Sequence, residues 1–192
     1  MTPLDYFNAV LSGKWITKGR NVQYRIENRI LYLQGSSDKD DWRINFDFPV
    51  VPYKRMKELF FIHRGYLKAW KSIRDEIVAK FPEFDVIVGY SYGANVAIPI
   101  HEEFLYRQGY QPETYRYGGS KILFLPSRRI RSRFSRVTNI QNREDIVSMV
   151  VPLYSRVGKL VKLTKPLKRP EGFPRLEWLS GHTPQMYRMR LM

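Results

Sequence analysis

Residues 89–93 read Gly-Tyr-Ser-Tyr-Gly, a G-x-S-x-G pattern whose context constrains the fold more than any other feature of this sequence. An apolar run from Phe84 to Val88 precedes the pattern and predicts a buried strand, and residues 94–106 predict a helix. A sharp strand-to-helix turn of this kind exposes its serine at the end of the strand, beside helix amides that favour a developing anion. We therefore interpret Ser91 as a nucleophile, the alternative being a serine that caps an ordinary glycine-rich turn.

Few residues can serve as partners of such a serine, and where this turn carries a triad the chain order is serine, acid, histidine. The sequence has three histidines, of which His63 precedes Ser91 and His101 lies ten residues further along the same predicted helix. His182 is therefore the candidate base. Asp145 is the one aspartate after Ser91 and follows a predicted strand, which places it at the same edge of the sheet. The alternative acids are Glu144 and Glu177.

The three residue types fit one chemistry. Ser91 would attack an acyl carbonyl, and His182 would take its proton and return it to the leaving group. Asp145 would hold the imidazole tautomer and stabilise its charged form. Each residue alone has an ordinary explanation, since Asp145 could cap a turn and His182 could precede a helix that begins at Thr183-Pro184. We expect neither a metal nor an organic cofactor.

The rest of the chain predicts alternating strands and helices. Thr2 is a candidate N-cap with Pro3 at the first helical position, and apolar spacing predicts an amphipathic helix over residues 65–81. Pro99 is expected to kink the helix after Ser91 or to end its first segment. Further strands are predicted over residues 22–26, 29–33, 115–117, 121–125 and 136–140. This alternation favours a three-layer α/β fold with a mostly parallel sheet, formed as one domain over residues 1–192.

The composition excludes several classes. With no cysteine, the chain has no disulfide framework, no cysteine-bound zinc and no thiolate nucleophile. No stretch approaches the roughly 20 apolar residues of a membrane span. The first residues lack the basic start of a signal peptide, so we expect a cytoplasmic or peripheral membrane protein.

The formal net charge of +15 is uneven. Residues 1–90 hold 15 basic and 11 acidic side chains, whereas residues 91–192 hold 18 and 7. One hypothesis is peripheral contact with an anionic membrane. The residues proposed for that contact are Arg128, Arg129, Arg131, Arg133, Lys159 and Lys162. The alternatives are a solvated basic face and a nucleic-acid-binding protein with a vestigial site, which no recognised motif supports.

The sequence resembles the class 3, fungal-type lipase family of α/β-hydrolases, from about Leu31 to Tyr187. The segments that agree in order are residues 33–37 followed by Asp41-Trp42, residues 62–66, residues 89–93, residues 115–118, Val137-Thr138-Asn139 with Asp145-Ile146-Val147, and His182 with Tyr187. The resemblance implies an α/β-hydrolase fold and a serine carboxylic-ester hydrolase acting on lipid esters. An acyltransferase or thioesterase would use the same triad.

The resemblance also implies further roles. The oxyanion hole would be formed by the backbone amides of Tyr92 and Ser36, with Ser36 or Ser37 facing the site. His63 would open a helix without touching substrate. Residues 37–41 are charged where lipase lids are amphipathic, so the sequence does not predict interfacial activation by a lid.

Overall fold

The fold is built on two β-sheets, and the computed structural model describes it over residues 1–35, 47–55, 58–145, 153–165 and 181–192. The strands are β1 (Ile16–Lys18), β2 (Val22–Glu27), β3 (Ile30–Leu33), β4 (Val50–Arg55), β5 (Glu58–His63), β6 (Val86–Tyr90), β7 (Glu113–Tyr117), β8 (Leu123–Phe124), β9 (Val137–Asn142), β10 (Tyr154–Ser155) and β11 (Lys159–Leu163). The helices are α1 (Pro3–Val10), α2 (Arg64–Ala79), α3 (Tyr92–Gln108), α4 (Arg128–Ser132) and α5 (Pro184–Leu191), with a 3-10 turn at Phe81–Glu83.

The larger sheet has seven strands in the order β1-β2-β3-β6-β7-β9-β11. Strands β3, β6, β7, β9 and β11 are parallel, and β1 and β2 add an antiparallel edge. The predicted α/β fold with a mostly parallel central sheet is confirmed. The second sheet, β10-β8-β5-β4, is antiparallel throughout.

Two apolar layers cover the faces of the larger sheet. On one face, α2 and α3 pack with the smaller sheet, and Leu31 and Leu33 of β3 belong to this layer. On the other face, Phe7 of α1 and Tyr187 of α5 pack with Tyr32 of β3. Because β3 is buried on both faces, it is a continuous apolar run and not an alternating one.

Two predicted helices follow from local signals. The side chain of Thr2 accepts a hydrogen bond from the Asp5 amide and the Asp5 carboxylate accepts one from the Thr2 amide, which is a complete capping box at the start of α1. The amphipathic helix predicted over residues 65–81 is α2, whose apolar stripe includes Trp70, Ile73 and Ile77. Among the described residues, no helix is both long enough and apolar enough to cross a bilayer.

Of the two outcomes expected at Pro99, the end of a first helical segment is wrong, because α3 runs without interruption from Tyr92 to Gln108. A proline inside a helix removes one backbone hydrogen bond and costs about 3 kcal/mol. Every residue from Tyr92 to Phe104 is buried, so packing against α2, β6 and β7 offsets that cost. The strand predicted over residues 121–125 is also shorter than expected, since only Leu123 and Phe124 pair in β8.

Candidate active site

Ser91 follows β6 directly and is the N-cap of α3, with φ 51° and ψ −115°. For a residue with a side chain, a positive φ of this kind costs about 1–3 kcal/mol unless the surroundings impose it. The Ser91 amide donates to the Tyr117 carbonyl over 2.8 Å, which ties the strained turn to the end of β7. The Ser91 hydroxyl makes no capping hydrogen bond to α3, so the alternative of a capping serine is wrong.

Both glycines of the pattern allow close backbone approach. A Cβ atom on Gly89 would lie 2.7 Å from the Ala94 Cα, where β6 turns into α3. A Cβ atom on Gly93 would overlap the carbonyl oxygens of Leu33 and Gln34 at the end of β3. The first turn of α3 therefore packs directly on the β3 backbone, which holds Ser91 in its strained conformation.

The structure brings the three predicted side chains together. The Ser91 Oγ lies 2.8 Å from the His182 Nε2, and the His182 Nδ1 lies 3.0 Å from each carboxylate oxygen of Asp145. The Asp145 side chain is wholly buried, whereas 13% of the His182 side chain is exposed. A carboxylate can only accept hydrogen bonds, so the His182 Nδ1 carries the hydrogen and Nε2 presents its lone pair to the serine hydroxyl.

The sheet explains why residues so distant in sequence meet. Strands β6 and β9 are parallel, so Ser91 after β6 and Asp145 after β9 lie at the same edge. The Asn142 side chain donates to the Gly181 carbonyl over 2.8 Å, which attaches the segment before His182 to the end of β9. Thr183 then caps α5 through the Met186 amide.

Two tyrosines support this arrangement, and the sequence predicted a role for neither. The Tyr187 hydroxyl donates to Asp145 Oδ2 over 2.7 Å and accepts from the Asn142 amide over 3.3 Å. Burial, with the nearby Asp145 carboxylate, raises the pKa of Tyr187 well above its usual value, so the hydroxyl stays a proton donor. The Tyr90 hydroxyl donates to the His182 carbonyl over 2.5 Å, and its ring stacks on the imidazole.

The loop after β7 closes against the same pair of residues. Gly118 has φ 62°, and a Cβ atom there would lie 3.0 Å from the His182 Cε1 and 3.2 Å from Asp145 Oδ2. Any side chain at this position would therefore push on the imidazole and the carboxylate. The Gly118 amide donates to the Ile140 carbonyl over 3.1 Å, which holds the loop on β9.

Arg116 is a buried cation one strand away from Ser91. Its guanidinium donates to the Ala94 carbonyl (2.6 Å), the Asn139 Oδ1 (2.6 Å), the Asn95 Oδ1 (3.0 Å) and the Ser120 carbonyl (3.0 Å). Burial lowers the pKa of Arg116 to about 9. The side chain thus joins the first turns of α3 to β9 and to the loop after β7, a role for which the sequence carries no motif.

The predicted oxyanion hole is described in part. The Tyr92 amide belongs to the first turn of α3, where backbone N–H groups have no partner within the helix, and the Tyr92 hydroxyl donates to the Arg20 carbonyl over 3.1 Å. Ser36 and residues 37–41 lie outside the described residues. Gly35 is described, and a Cβ atom on it would lie 3.3 Å from the Ser91 Cβ, so the chain before Ser36 reaches the nucleophile.

The other two histidines are away from Ser91. His63 is the buried N-cap residue of α2, and its ring stacks on Tyr66 with centroids 4.2 Å apart. The His101 ring nitrogens lie 2.9 Å from the Thr114 Oγ1 and 3.0 Å from the Arg133 carbonyl oxygen. Burial lowers the pKa of His101 to about 4, so this ring is neutral at ordinary pH.

The alternative acids do not contact the imidazole in the part of the chain that is described. Glu144 forms an ion pair with Arg190, and that hydrogen bond lowers the pKa of Glu144. Glu177 lies outside the described residues. Within the same described ranges, no group of three or more His, Asp or Glu side chains could hold a metal ion.

The family model for lipase (class 3) matches residues 30–155, more than half of the chain. No curated protein matched the chain in sequence. Among solved structures, the chain is similar to the triacylglyceride lipase of Rhizomucor miehei, with 16% identity, a TM-score of 0.61 and coverage of 78% of this chain and 65% of that one.

Two further solved structures share the fold. One is a fungal lipase–inhibitor complex, with 16% identity, a TM-score of 0.60 and coverage of 73% of this chain and 60% of that one. The other is the mono- and diacylglycerol lipase of Aspergillus oryzae, with 16% identity, a TM-score of 0.60 and coverage of 86% and 81%. The match thus spans less than two thirds of the inhibitor-bound lipase and of the Rhizomucor lipase.

Proposed function

The chain belongs to the class 3 lipase family, and from that premise we propose that it hydrolyses carboxylic esters of lipids with Ser91, His182 and Asp145 as its catalytic triad. Two successive hydrogen bonds carry the proposal. The Ser91 Oγ lies 2.8 Å from the His182 Nε2, and the His182 Nδ1 lies 3.0 Å from the Asp145 carboxylate. These hydrogen bonds begin at a strained turn that leaves the serine hydroxyl available to substrate.

The first half-reaction forms an acyl-enzyme. The Ser91 Oγ attacks the ester carbonyl carbon while the His182 Nε2 takes the hydroxyl proton. The carbonyl oxygen becomes an oxyanion beside the first turn of α3, where the Tyr92 amide, together with that of Ser36, would donate hydrogen bonds. The intermediate collapses, the carbon–oxygen bond to the alcohol breaks, and His182 returns the proton to the departing alkoxide.

The second half-reaction repeats these steps with water. His182 takes a proton from water, the resulting hydroxide attacks the acyl carbon, and the proton goes to the Ser91 oxygen as the carboxylic acid leaves. Asp145 stays ionised throughout and stabilises the imidazolium through the Nδ1 hydrogen bond. Tyr187 orients the Asp145 carboxylate from its far side, since its hydroxyl lies 2.7 Å from Oδ2.

The names of the similar proteins suggest which esters to test first. The Rhizomucor protein is a triacylglyceride lipase and the Aspergillus protein is a mono- and diacylglycerol lipase. We therefore propose acylglycerols as the first substrate class for this chain.

We further propose that residues 1–192 form one domain. Helix α1 near the start and α5 near the end of the sequence pack on the same face of the larger sheet. The Phe7 and Tyr187 rings lie 5.4 Å apart, and the Arg188 guanidinium donates to Asn8 Oδ1 over 3.0 Å. Because Tyr187 also contacts Asp145, α1 contributes to the support of the triad.

The test is hydrolysis of p-nitrophenyl esters of increasing chain length and of a mono-, di- and triacylglycerol series. Ser91→Ala is expected to lower kcat by about 10⁴-fold or more, because the nucleophile is lost. Ser12→Ala, which removes an exposed hydroxyl just after α1, is the matched control and should keep wild-type rates. A fluorophosphonate should label the wild type and Ser12→Ala but not Ser91→Ala; equal labelling of all three would reject the assignment.

A further inference from the structure

The basic residues around α4 differ in their partners. Three of them are paired with carboxylates: Arg129 with Glu58, Arg133 with Glu102, and Arg136 with Glu113. Arg128 and Arg131 form no ion pair within the described residues. Within the described residues, fewer of these arginines lack an ion pair than the run of arginines in the sequence suggests.

Arg128 and Arg131 both line a cleft of about 380 Å³. It lies between α4 and the turn before β11, and none of the described residues that line it is acidic. Four of them are cations: Arg128, Arg131, Arg156 and Lys159. The hydroxyl-bearing residues Ser132 and Ser135 also line it. Like charges gathered in one cleft repel one another, and a multivalent anion relieves that repulsion.

The walls of the cleft are held by backbone contacts. The Arg131 guanidinium donates to the Arg156 carbonyl over 3.1 Å, which joins α4 to the turn opposite. Gly158 in that turn has φ 81°, and a Cβ atom there would overlap the Val137 carbonyl oxygen, so the turn packs on the start of β9. Partial burial lowers the pKa of Arg156, because its guanidinium is partly removed from water.

The cleft lies at the amino ends of the parallel strands of the larger sheet, whereas the triad lies at their carboxyl ends. Val137 and Lys159, at the starts of β9 and β11, adjoin the cleft, whereas Asp145 follows the end of β9. At about 3.3 Å per residue, β9 alone separates the two ends by roughly 16 Å. A ligand in the cleft is therefore not the ester that meets Ser91, and a bilayer held there would not present its lipids to the nucleophile.

We propose that this cleft binds a phosphate-bearing small molecule. Arginine guanidinium groups form paired hydrogen bonds with phosphate oxygens, and the lysine adds a further positive charge. The volume falls within the range of about 300–1,000 Å³ that small-molecule sites occupy. The site is separate from the ester-hydrolysing centre and stands whether or not that centre acts on lipids.

The experiment measures binding of pyrophosphate by calorimetry at low and physiological salt. The triple variant Arg128→Gln/Arg131→Gln/Lys159→Gln should bind at least about 30-fold more weakly, because it loses charge-assisted contacts. The matched control Lys14→Gln/Lys18→Gln/Lys71→Gln removes the same charge from exposed lysines elsewhere and should change binding less than about 2-fold. Thermal unfolding of both variants near the wild-type temperature verifies that they fold.

Two further arms identify the source of the phosphate. Vesicles containing a phosphoinositide, compared with phosphatidylserine vesicles of equal charge, test a lipid headgroup, and inositol hexakisphosphate tests a soluble one. Binding in either arm that the triple variant loses and the control keeps supports the cleft. No binding of any phosphate ligand, or equal loss in both variants, overturns it. So does binding of single-stranded RNA without binding of pyrophosphate, which would indicate an extended basic surface.

Discussion

At the scale of single residues, the site depends on side chains that hold other side chains. Ser91 is kept at positive φ by the hydrogen bond from its backbone amide to the Tyr117 carbonyl. Asp145 is fully buried, and Tyr187 donates to one of its oxygens. A carboxylate in such surroundings needs well-placed donors, and its orientation sets that of the imidazole.

Replacing Tyr187 by Phe should therefore lower kcat without changing KM. The variant keeps the buried ring but loses the hydroxyl that orients Asp145. A hydrogen bond to a charged group contributes about 1.5–3 kcal/mol, which corresponds to a fall in kcat of roughly 10-fold or more. Steady-state kinetics on a short-chain ester measure it.

Tyr117→Phe is the matched control. Its hydroxyl donates to the Pro3 carbonyl over 2.6 Å, on the same face of the sheet. The control should lose some stability but keep kcat. An equal fall in kcat for the two variants would mean that Tyr187 acts only by supporting the fold.

At the scale of elements, the site depends on how α3 meets β3. The helix begins against the last residues of that strand, where Gly93 allows backbone contact. Arg116 adds hydrogen bonds from β7 to the Ala94 carbonyl and to Asn139 of β9. The nucleophile therefore stands at a junction of three elements and not on a free loop.

Replacing Gly93 by Ala should destabilise the protein by about 3 kcal/mol, because the added methyl group overlaps the Leu33 and Gln34 carbonyl oxygens. The comparison is Gly109→Ala at the end of α3, where φ is 78° but nothing lies within 4 Å of the new Cβ. That variant should lose only about 1 kcal/mol. Urea unfolding of both variants measures the difference, and similar losses would contradict the close packing inferred at Gly93.

At the scale of the whole molecule, the two ends of the sheet have different electrostatics. The carboxyl end holds the triad, and the amino end holds the cationic cleft and the buried His101. The Arg133 carbonyl can only accept, so the His101 Nε2 carries the hydrogen and Nδ1 accepts from the Thr114 hydroxyl. The neutral imidazole is thus hydrogen-bonded through both ring nitrogens.

His101 should make stability depend on pH. Burial lowers its pKa to about 4 from the usual 6.5, so the unfolded chain binds a proton more readily than the folded one between these values. Stability is then full above pH 6.5 and decreases as the pH falls toward 4, by roughly 3 kcal/mol in all.

Urea unfolding at pH 7.5, 6 and 5 measures this dependence, with His101→Gln as the comparison. The variant should be less stable at pH 7.5 but should lose less stability on acidification. If acidification destabilises the variant as much as the wild type, other groups cause the dependence.

Local sequence patterns predicted some elements of the fold and not others. The capping box at Thr2, the stripe of α2 and the turn at Ser91 are local patterns, and each is confirmed in the structure. The uninterrupted α3 could not be predicted from Pro99, because packing on all sides of the helix outweighs a local penalty. The antiparallel sheet formed by β4, β5, β8 and β10 was missed. Strands β4 and β5 are neighbours in sequence, but β8 and β10 are two residues long and pair with segments far apart in the chain.

The sequence by itself determined which residues could form the site. After the G-x-S-x-G turn it has one aspartate and two histidines, of which His101 lies on the same helix as Ser91, so His182 and Asp145 were predicted with Glu144 and Glu177 as alternative acids. Tertiary structure alone decided what surrounds them: the donor from Tyr187 and the hydrogen bonds of Arg116. It also decided which arginines near α4 are paired with carboxylates among the described residues. Residue type and chain order are local properties, whereas burial and the choice of a charge's partner depend on which distant segments the fold brings into contact.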